Sequence, residues 1–398
     1  MTDSFEQFIQ THLHDDVNEL ALHAGKYPDI DVRQAVVQIR GRQIAEKKLP
    51  LWYATDGIVY PEHLPLEQCS SQLTAEYKAS LIKSLPEKAK IADFTGGFGV
   101  DLTILGHHFQ EVTYIEQNPA LCQIAETNLP LLGLNNIHIV CGQCEQLIAN
   151  LPHQNLIFID PARRDANGRK TVLISDCLPD VTSLNDLLLE KSDWCMIKLS
   201  PMLDVSATIR QLHGVRDIHI VSVDGECKEV VAIISKEATN EVRITCANLT
   251  SRSQQTFTFT NSDEAKAICK IAEADKIGRS EMPQYLYEPN ASLMKASCFK
   301  SISQHYGIEK LHSNSHLYVS ADFIEDFPGR TFEIEQVFQM NKHELKTISQ
   351  LKKANLTVRN FPSTVAELRK KLHLAEGGDH YLFATTLADE RKVLILCK

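Results

Sequence analysis

The chain has 398 residues, of which 43% are hydrophobic and 23% charged, and its formal net charge is −10. This length predicts several domains of about 100 to 200 residues each, and the composition excludes wholesale disorder, collagen-like repeats and coiled-coil arrays. The negative charge argues against a protein that binds nucleic acid over its whole surface, although a single basic domain could still do so.

The cysteines and the pattern of apolar residues indicate the cellular compartment of the protein. There are 11 cysteines, an odd number without regular spacing, which fits a reducing environment with free thiols. No apolar stretch approaches the ~20 residues that a membrane-spanning helix needs, and the segment Met1–Phe8 lacks the basic and apolar regions of a signal peptide. We therefore expect a cytoplasmic protein that does not enter a membrane.

Residues 1–85 predict an N-terminal helical region. Apolar residues repeat there at intervals of three and four, as in Val32–Ile39, which is the period of an α-helix. Ser70 or Ser71 is placed to cap a last helix that runs to about Leu85.

Residues 86–278 alternate between short apolar strands and amphipathic segments, which is typical of parallel βαβ units. The predicted strands are Lys90–Phe94, Glu111–Glu116, Ile137–Cys141, Asn155–Asp160, Trp194–Leu199, Ile218–Val223 and Glu229–Ser235. The connection around Gly225 between the last two is too short for a crossover helix, so these two should form an antiparallel hairpin. The predicted fold class is therefore α/β, with a Rossmann-like parallel sheet that ends in an antiparallel hairpin.

The rest of the chain, after the predicted parallel sheet, is expected to form smaller elements. Glu241–Cys246 and Gln255–Thr260 favour a further hairpin, followed by a helix at about Asp263–Lys276. We expect a small piece at residues 279–322 and a compact α+β domain at residues 323–398. The elements of that last domain are Thr331–Gln339, Lys342–Lys353, Leu356–Val358, Thr364–Leu372, Tyr381–Leu387 and Lys392–Cys397.

The clearest motif is the glycine-rich run Asp93–Gly99 after the first parallel strand. Glycines allow sharp turns and close approach to a ligand, and open α/β sheets bind ligands at the carboxyl ends of their strands. A dinucleotide fingerprint would need glycine where Leu102 stands, and the Asp93 carboxylate suits the ammonium of an amino-acid-like ligand better than a phosphate. A glycine turn without any ligand is the alternative. The predicted ligand-binding loop residues are Thr95, Gly96, Gly97 and Gly99.

Two polar residues follow the next strands. Glu116 lies 23 positions after Asp93, close to the ~20-residue offset at which a carboxylate binds ribose hydroxyls in such sheets. Gln143 follows the third strand, at the place where such sheets hold an adenine amine. An ordinary polar residue of a loop, without a ligand, is an equally good interpretation. Cys141 and Cys144 have the spacing of half a zinc motif, but no second pair matches it, so we expect no metal.

Asp160–Arg164 follows the fourth strand and places an acid and two arginines in the same crevice. Asp160 can accept a hydrogen bond or a proton from a reacting amine, and Arg163 or Arg164 can bind a phosphate or a base edge. Lys198, at the end of the fifth strand, is expected at the same rim. Solvated arginines in a surface loop are the alternative.

The sequence resembles the bacterial class I S-adenosylmethionine-dependent methyltransferases that carry a C-terminal THUMP-like domain. The glycine loop is common to that superfamily, whose sheet ends in an antiparallel hairpin. The resemblance covers most of the chain through Glu67–Ser71, Thr74–Lys78, Asp93–Gly99, Asp160–Arg164, Gly225–Glu229, Tyr287–Ala296, Phe327–Phe332 and Val358–Pro362.

The resemblance implies S-adenosyl-L-methionine as cofactor and methyl transfer to RNA, with a tRNA or rRNA base as substrate. It also implies a ferredoxin-like piece at 279–322 and an RNA-binding module at 323–398. The implied cofactor-binding residues are Asp93, Thr95, Gly96, Gly97, Gly99, Glu116, Gln143 and Ser71, and the implied catalytic residues are Asp160, Arg163, Arg164 and Lys198.

The motif Asp160–Arg163 also resembles that of RNA uridine C5-methyltransferases, which attack the base with a cysteine placed after the fifth strand. Leu199 stands at that cysteine position, so we expect a non-covalent mechanism. A related motif with an aromatic residue that stacks on a flipped base is not matched either. Methylation of an exocyclic nitrogen is one remaining option.

Residues 341–373 carry eight Lys or Arg against two Glu, in contrast to the acidic chain as a whole. This balance predicts contact with an RNA backbone, with solvated helix faces as the alternative. The predicted RNA-binding residues are Lys352, Lys353, Arg359, Lys370 and Lys371. Two other functions stay open: a methyltransferase of protein or DNA, and a catalytically silent RNA-binding adaptor.

Overall fold

The computed structural model describes residues 3–82, 85–86, 88–162, 173–239, 241–279 and 282–398. The chain forms two compact units, which we call unit 1 (Met1–Ile218 and Glu229–Asn240) and unit 2 (His219–Lys228 and Glu241–Lys398). Over the described ranges, no helix combines the length and the apolar character needed to cross a membrane.

Unit 1 begins with the predicted helical region. Its helices are α1 (Asp3–Thr11), α2 (Val17–Leu22), α3 (Val32–Lys48), α4 (Pro50–Ala54), α5 (His63–Gln68) and α6 (Gln72–Ser80). Helix α6 ends before the predicted Leu85, because Leu81 and Ile82 donate their N–H groups three residues back and tighten the last turn. Pro86 further disfavours the helical conformation at the residue that precedes it.

The rest of unit 1 is a sheet with helices between its strands. The strands are β1 (Lys90–Asp93), β2 (Glu111–Glu116), β3 (Ile137–Cys141), β4 (Gln154–Ile159), β5 (Ser192–Leu199), β6 (Val215–Val223) and β7 (Glu226–Ile234). Residues 219–223 of β6 and 226–228 of β7 are counted in unit 2. The helices are α7 (Val100–Gly106), α8 (Pro119–Leu131), α9 (Cys144–Leu147), α10 (Val181–Lys191) and α11 (Val205–Gln211). The order is β3-β2-β1-β4-β5-β7-β6. Strands β1 to β5 are parallel, whereas β7 is antiparallel to β5, which confirms the predicted sheet and its terminal hairpin.

The core of unit 1 explains why these segments fold in this way. The parallel strands are buried on both faces, so they read as continuous apolar runs. Ile91 of β1 and Phe158 of β4 pack with Leu102 of α7 and Leu129 of α8. This packing holds the carboxyl ends of β1, β2, β4 and β5 at one edge, where the predicted site residues lie.

Unit 2 contains the C-terminal elements. Its strands are β8 (Arg243–Leu249), β9 (Gln254–Thr260), β10 (Tyr285–Pro289), β11 (Glu309–Lys310), β12 (Tyr318–Ser320), β13 (Gly329–Gln339), β14 (Asn355–Arg359), β15 (Tyr381–Thr386) and β16 (Lys392–Cys397). Its helices are α12 (Asn261–Lys266), α13 (Ala291–Ala296), α14 (Phe299–Tyr306), α15 (Lys342–Ile348) and α16 (Val365–Leu372). Strands β8 and β9 pair as the predicted hairpin, and a second sheet has the order β11-β12-β10-β13-β16-β15-β14.

The predicted helix at Asp263–Lys276 is wrong in its length, because α12 ends at Lys266. A capping box at Thr260 starts the helix. The backbone near Ile271 then forms a parallel bridge with Lys310 and exchanges hydrogen bonds there, which is incompatible with a helix.

Candidate functional site

The glycine-rich loop connects β1 to α7 and is fixed to the end of β2. Gly97 donates its N–H to the Glu116 carboxylate at 2.9 Å, and the Tyr114 hydroxyl donates to the Gly97 carbonyl at 2.7 Å. Gly97 and Gly99 have φ angles of +54° and +78°, which glycine adopts without steric cost. At Gly96 a Cβ atom would lie only 2.1 Å from the Tyr114 ring. The structure therefore brings the loop and Glu116 together.

Asp93 ends β1 beneath this loop and is only 1% exposed. Its carboxylate accepts the Thr95 N–H at 2.9 Å. Burial raises the pKa of Asp93 well above its usual range; the Thr95 N–H counters this in part, and the carboxylates of Asp101, Asp160 and Glu116 add to it. A cation in the crevice would therefore favour the ionised form of Asp93.

Asp160 and Lys198 meet across β4 and β5. The Lys198 ammonium contacts the Asp160 carboxylate at 2.5 Å, and the Asp160 N–H donates to the Thr95 hydroxyl at 2.6 Å. Although burial would lower it, the carboxylates of Asp160, Asp101 and Glu229 raise the pKa of Lys198. Asp160 is thus held by a protonated lysine on one side and by the glycine loop on the other.

The other predicted cofactor residues have different surroundings. Gln143 is exposed at the start of α9, where its side chain accepts a hydrogen bond from Gln146 at 2.7 Å. The Ser71 hydroxyl accepts the Thr74 N–H at 3.2 Å and caps α6. Arg163 and Arg164 lie outside the described residues.

The structure contains a buried charge cluster beside Lys198 that the sequence analysis did not predict. Lys78 of α6 is fully buried and contacts Glu229 of β7 at 2.5 Å and Asp101 of α7 at 3.0 Å. The Ser70 hydroxyl donates to Asp101 at 2.7 Å. Although burial would raise it, Lys78 and Lys198 lower the pKa of Asp101. The available signal was that Lys78 and Glu229 end two stretches that carry the family resemblance.

The predicted RNA-binding residues of unit 2 are not equivalent. Lys352, Lys353, Lys370 and Lys371 are exposed. Arg359 instead contacts the buried Glu288 carboxylate at 2.8 Å. Its guanidinium is thus already engaged within unit 2.

Comparisons with known proteins identify the C-terminal part. Residues 285–328 match a ferredoxin-like domain family, and residues 329–398 match a THUMP domain-like family. A crystal structure described as a proposed methyltransferase from Porphyromonas gingivalis W83 is similar over nearly the whole chain. The two are 31% identical, the match covers 99% of this chain and 97% of that chain, and the TM-score is 0.87.

Two further proteins resemble only part of the chain. A protein-L-isoaspartate O-methyltransferase from Thermotoga maritima is 23% identical over 133 residues, which make up 32% of this chain and 42% of that enzyme. The chain therefore spans less than half of that relative's length. A SAM-dependent methyltransferase structure from Agrobacterium tumefaciens is 13% identical, with a TM-score of 0.31, over 41% of this chain and 60% of that chain.

Proposed function

Because the chain belongs to the class I methyltransferases with a C-terminal THUMP-like domain, we propose that it methylates a tRNA or rRNA base with S-adenosyl-L-methionine. The observation that carries the proposal is the meeting of the Asp93 loop with the Asp160–Lys198 pair at one sheet edge, through the hydrogen bond between Asp160 and Thr95. The proposed cofactor-binding groups and the candidate proton acceptor thereby lie at the same edge of the sheet.

The groups at this edge fit the proposed cofactor. The buried Asp93 carboxylate suits an ammonium, and Glu116, at the end of β2, suits ribose hydroxyls. Gln143, exposed after β3, suits an adenine amine. Ser71 caps a helix through its hydroxyl, so we include it in the cofactor set only as a residue that positions α6.

S-adenosylmethionine supplies a methyl group that is already activated on a sulfonium. The protein then has to align the acceptor atom with that methyl group and manage one proton. Asp160 accepts the hydrogen bond or the proton of the attacking group, and Lys198 holds Asp160 in place. We assign Arg163 and Arg164 to the RNA backbone or base edge because they follow this acid after only Pro161 and Ala162 in the sequence.

The THUMP-like match at residues 329–398 supports RNA as the substrate class, together with the exposed lysines at 352, 353, 370 and 371. We assign these lysines to phosphate contacts, which depend on charge and not on base identity. Arg359 joins them only if RNA displaces its contact with Glu288. A protein or DNA substrate, or an adaptor without turnover, is distinguished by the experiments below.

Cofactor binding tests the first half of the proposal. Calorimetry should detect S-adenosylmethionine and its demethylated product, and Gly97→Leu should abolish both signals, because it places a side chain in the loop at positive φ. Gly307→Leu is the matched control: Gly307 also has positive φ, and no atom lies within 4 Å of its Cβ position. Preferential binding of nicotinamide dinucleotides would defeat the cofactor assignment.

Modified-nucleoside mapping tests the second half. RNA from cells that lack the protein should lose one methylated nucleoside, which the parent gene restores and an Asp160→Ala gene does not. Unchanged RNA modification would shift the proposal to a protein or DNA substrate. If the Asp160→Ala gene restored the methylated nucleoside, the result would instead favour an RNA-binding adaptor without catalytic turnover.

A further inference from the structure

The glycine-rich loop is held by two different parts of unit 1. In its first half, Gly96 donates its N–H to the Ile115 carbonyl at 2.9 Å, and Gly97 donates to the Glu116 carboxylate of the same strand. Its second half begins at Phe98, whose side chain packs in one apolar cluster with residues of the N-terminal helical region. The sheet thus holds one half of the loop, and the helical region holds the other.

Two aromatic rings of the helical region lie against Phe98. The centroid of its ring is 6.4 Å from that of Trp52 on α4 and 6.0 Å from that of Tyr60, within the range in which aromatic pairs attract each other. All three side chains are buried. Val100, two residues further on, packs in the same cluster beside Leu49. The end of the cofactor loop is therefore part of the core of the helical region.

The segment that carries Tyr60 is itself firmly held. The Gln38 side chain of α3 donates to the Tyr60 carbonyl and accepts the Tyr60 N–H, both at 2.9 Å. The Asn128 side chain of α8 makes the same two bonds with Val59, at 2.8 and 2.9 Å. At Gly41 of α3, a Cβ atom would lie only 2.3 Å from the Tyr60 Cβ, so the helix and the segment pack closely. Tyr60 therefore offers the loop a rigid surface.

The position of Phe98 between two glycines gives this packing a consequence for ligand binding. Gly97 and Gly99 have φ angles of +54° and +78°, and glycine loses more conformational freedom on ordering than any other residue. A loop that is mobile in the free protein has to be ordered when a ligand binds, which lowers the affinity, whereas a loop that is already ordered avoids this loss. The buried Phe98 side chain orders the backbone of both glycines in advance.

We propose that the N-terminal helical region positions the cofactor loop, because Trp52 and Tyr60 hold Phe98 and thereby fix the flanking glycines in the conformation that binds S-adenosylmethionine. Trp52 and Tyr60 are positioning residues, since they act on the cofactor through Phe98. The inference rests on the proposed function, because it concerns the same loop. It extends the part of the helical region in cofactor binding beyond the helix cap at Ser71.

Calorimetric titration of the whole chain with S-adenosylmethionine measures the effect. Phe98→Ala removes the contact, and we expect the dissociation constant to rise about tenfold, which corresponds to freeing roughly one loop residue. Phe98→Leu refills most of the space with an apolar side chain and should restore most of the affinity. Trp52→Leu removes the facing ring and should also weaken binding, although Trp52 is 0% exposed and offers no surface to a ligand.

A double variant tests whether the effect of Trp52 passes through Phe98. Two residues that act through one contact are not additive. The combination of Trp52→Leu with Phe98→Ala should therefore bind S-adenosylmethionine no more weakly than Phe98→Ala alone.

Phe8→Ala is the matched control. Phe8 of α1 is also buried and packs against the Tyr27 ring, in a separate apolar cluster between residues 5 and 39 of the same helical region. This variant should unfold at a lower urea concentration than the parent protein, because it loses a buried ring, but its dissociation constant for S-adenosylmethionine should not change.

The outcomes distinguish this inference from the proposed function. If the parent protein binds neither S-adenosylmethionine nor S-adenosylhomocysteine, the cofactor assignment fails and the inference fails with it. If Phe98→Ala and Trp52→Leu fold, as judged by circular dichroism, and bind with the parent affinity, the positioning role is wrong while the cofactor assignment stands. A loss of affinity in Phe8→Ala as large as that in Phe98→Ala would also overturn it, since general destabilisation would then be the cause. If Phe98→Ala does not fold, Trp52→Leu decides in its place.

Discussion

Leu199 is the residue on which the proposed non-covalent mechanism rests. It ends β5, directly after Lys198, and it is buried. In the RNA uridine C5-methyltransferases, whose motif Asp160–Arg163 resembles, a cysteine at this position attacks the base. Cys195 lies on the same strand but is fully buried, and that burial raises the pKa of its thiol. The described part of β5 thus offers no reactive thiol at the rim.

RNA that contains 5-fluorouridine should therefore not form a stable adduct with the protein. Such RNA traps enzymes that attack the base covalently, and a thiol held in the protonated form is a poor nucleophile. Denaturing electrophoresis after incubation with S-adenosylmethionine is the measurement, with unmodified RNA as control. A crosslink that maps to Cys195, Cys227 or another cysteine would overturn the non-covalent mechanism.

At the scale of elements, the segment between α14 and β12 contains a histidine in an unusual environment. The His316 ring stacks on Phe299, with ring centroids 3.7 Å apart. Lys310 lies over the same Phe299 ring at 4.7 Å. Burial lowers the pKa of His316 to about 4, and the positive charges of Lys310 and Arg359 contribute. Folding therefore excludes the proton from this imidazole.

We expect unit 2 to lose stability as the pH falls from about 6.5 towards 4. In this window the unfolded chain protonates His316 while the folded chain does not, so the proton favours the unfolded state. His316→Asn should reduce this acid sensitivity, and asparagine tolerates the positive φ of 54° at this position.

Urea unfolding at a series of pH values measures the effect. The stability of the parent protein relative to that of the variant should fall as the pH is lowered from about 6.5 towards 4. The same substitution at the exposed His343 of α15 is the control and should leave the pH dependence unaltered. Parallel curves for the parent protein and His316→Asn would contradict the prediction.

Charge is unevenly distributed along the chain. The chain has a net charge of −10, whereas residues 341–373 have eight basic and two acidic side chains. The glycine-rich loop and Asp160 belong to unit 1, and the exposed lysines at 352, 353, 370 and 371 belong to unit 2. The proposed function therefore assigns chemistry and RNA contact to different parts of the chain.

Replacing Lys352, Lys353, Lys370 and Lys371 by alanine should weaken RNA binding about equally for all sequences. The salt dependence should flatten as well, because each neutralised phosphate contributes a slope of about −0.7 on single strands. Cofactor affinity should not change. The Asp160→Ala variant, by contrast, should keep nearly the same RNA affinity, while its rate of methyl transfer should fall ~10²–10⁴-fold.

Fluorescence titrations with RNA at several salt concentrations measure these slopes. A second quadruple variant, with alanine at the exposed Lys26, Lys47, Lys236 and Lys266, controls for the loss of charge alone. An unchanged salt slope in the first variant would remove the nucleic-acid role from this region and favour a protein substrate.

Local patterns in the sequence were enough to predict the strands of the parallel sheet and the place of the glycine-rich loop after β1. Strand β2 and strand β3 have the predicted bounds, and the antiparallel hairpin followed from the short connection at Gly225. These features are local, because apolar periodicity, glycines and caps act within a few turns of chain. The glycine loop and Glu116 could be paired in advance because parallel strands end at a common edge.

Which charged residues are buried together depends on contacts between segments that are far apart in the chain. Lys78 and Glu229 are 151 positions apart and meet through the packing of α6 against the sheet of unit 1. Arg359 likewise pairs with Glu288, 71 positions away, and α12 stops early because distant Lys310 takes up the following backbone. Such contacts depend on how elements pack, and no local pattern in the chain specifies which partner a side chain will meet.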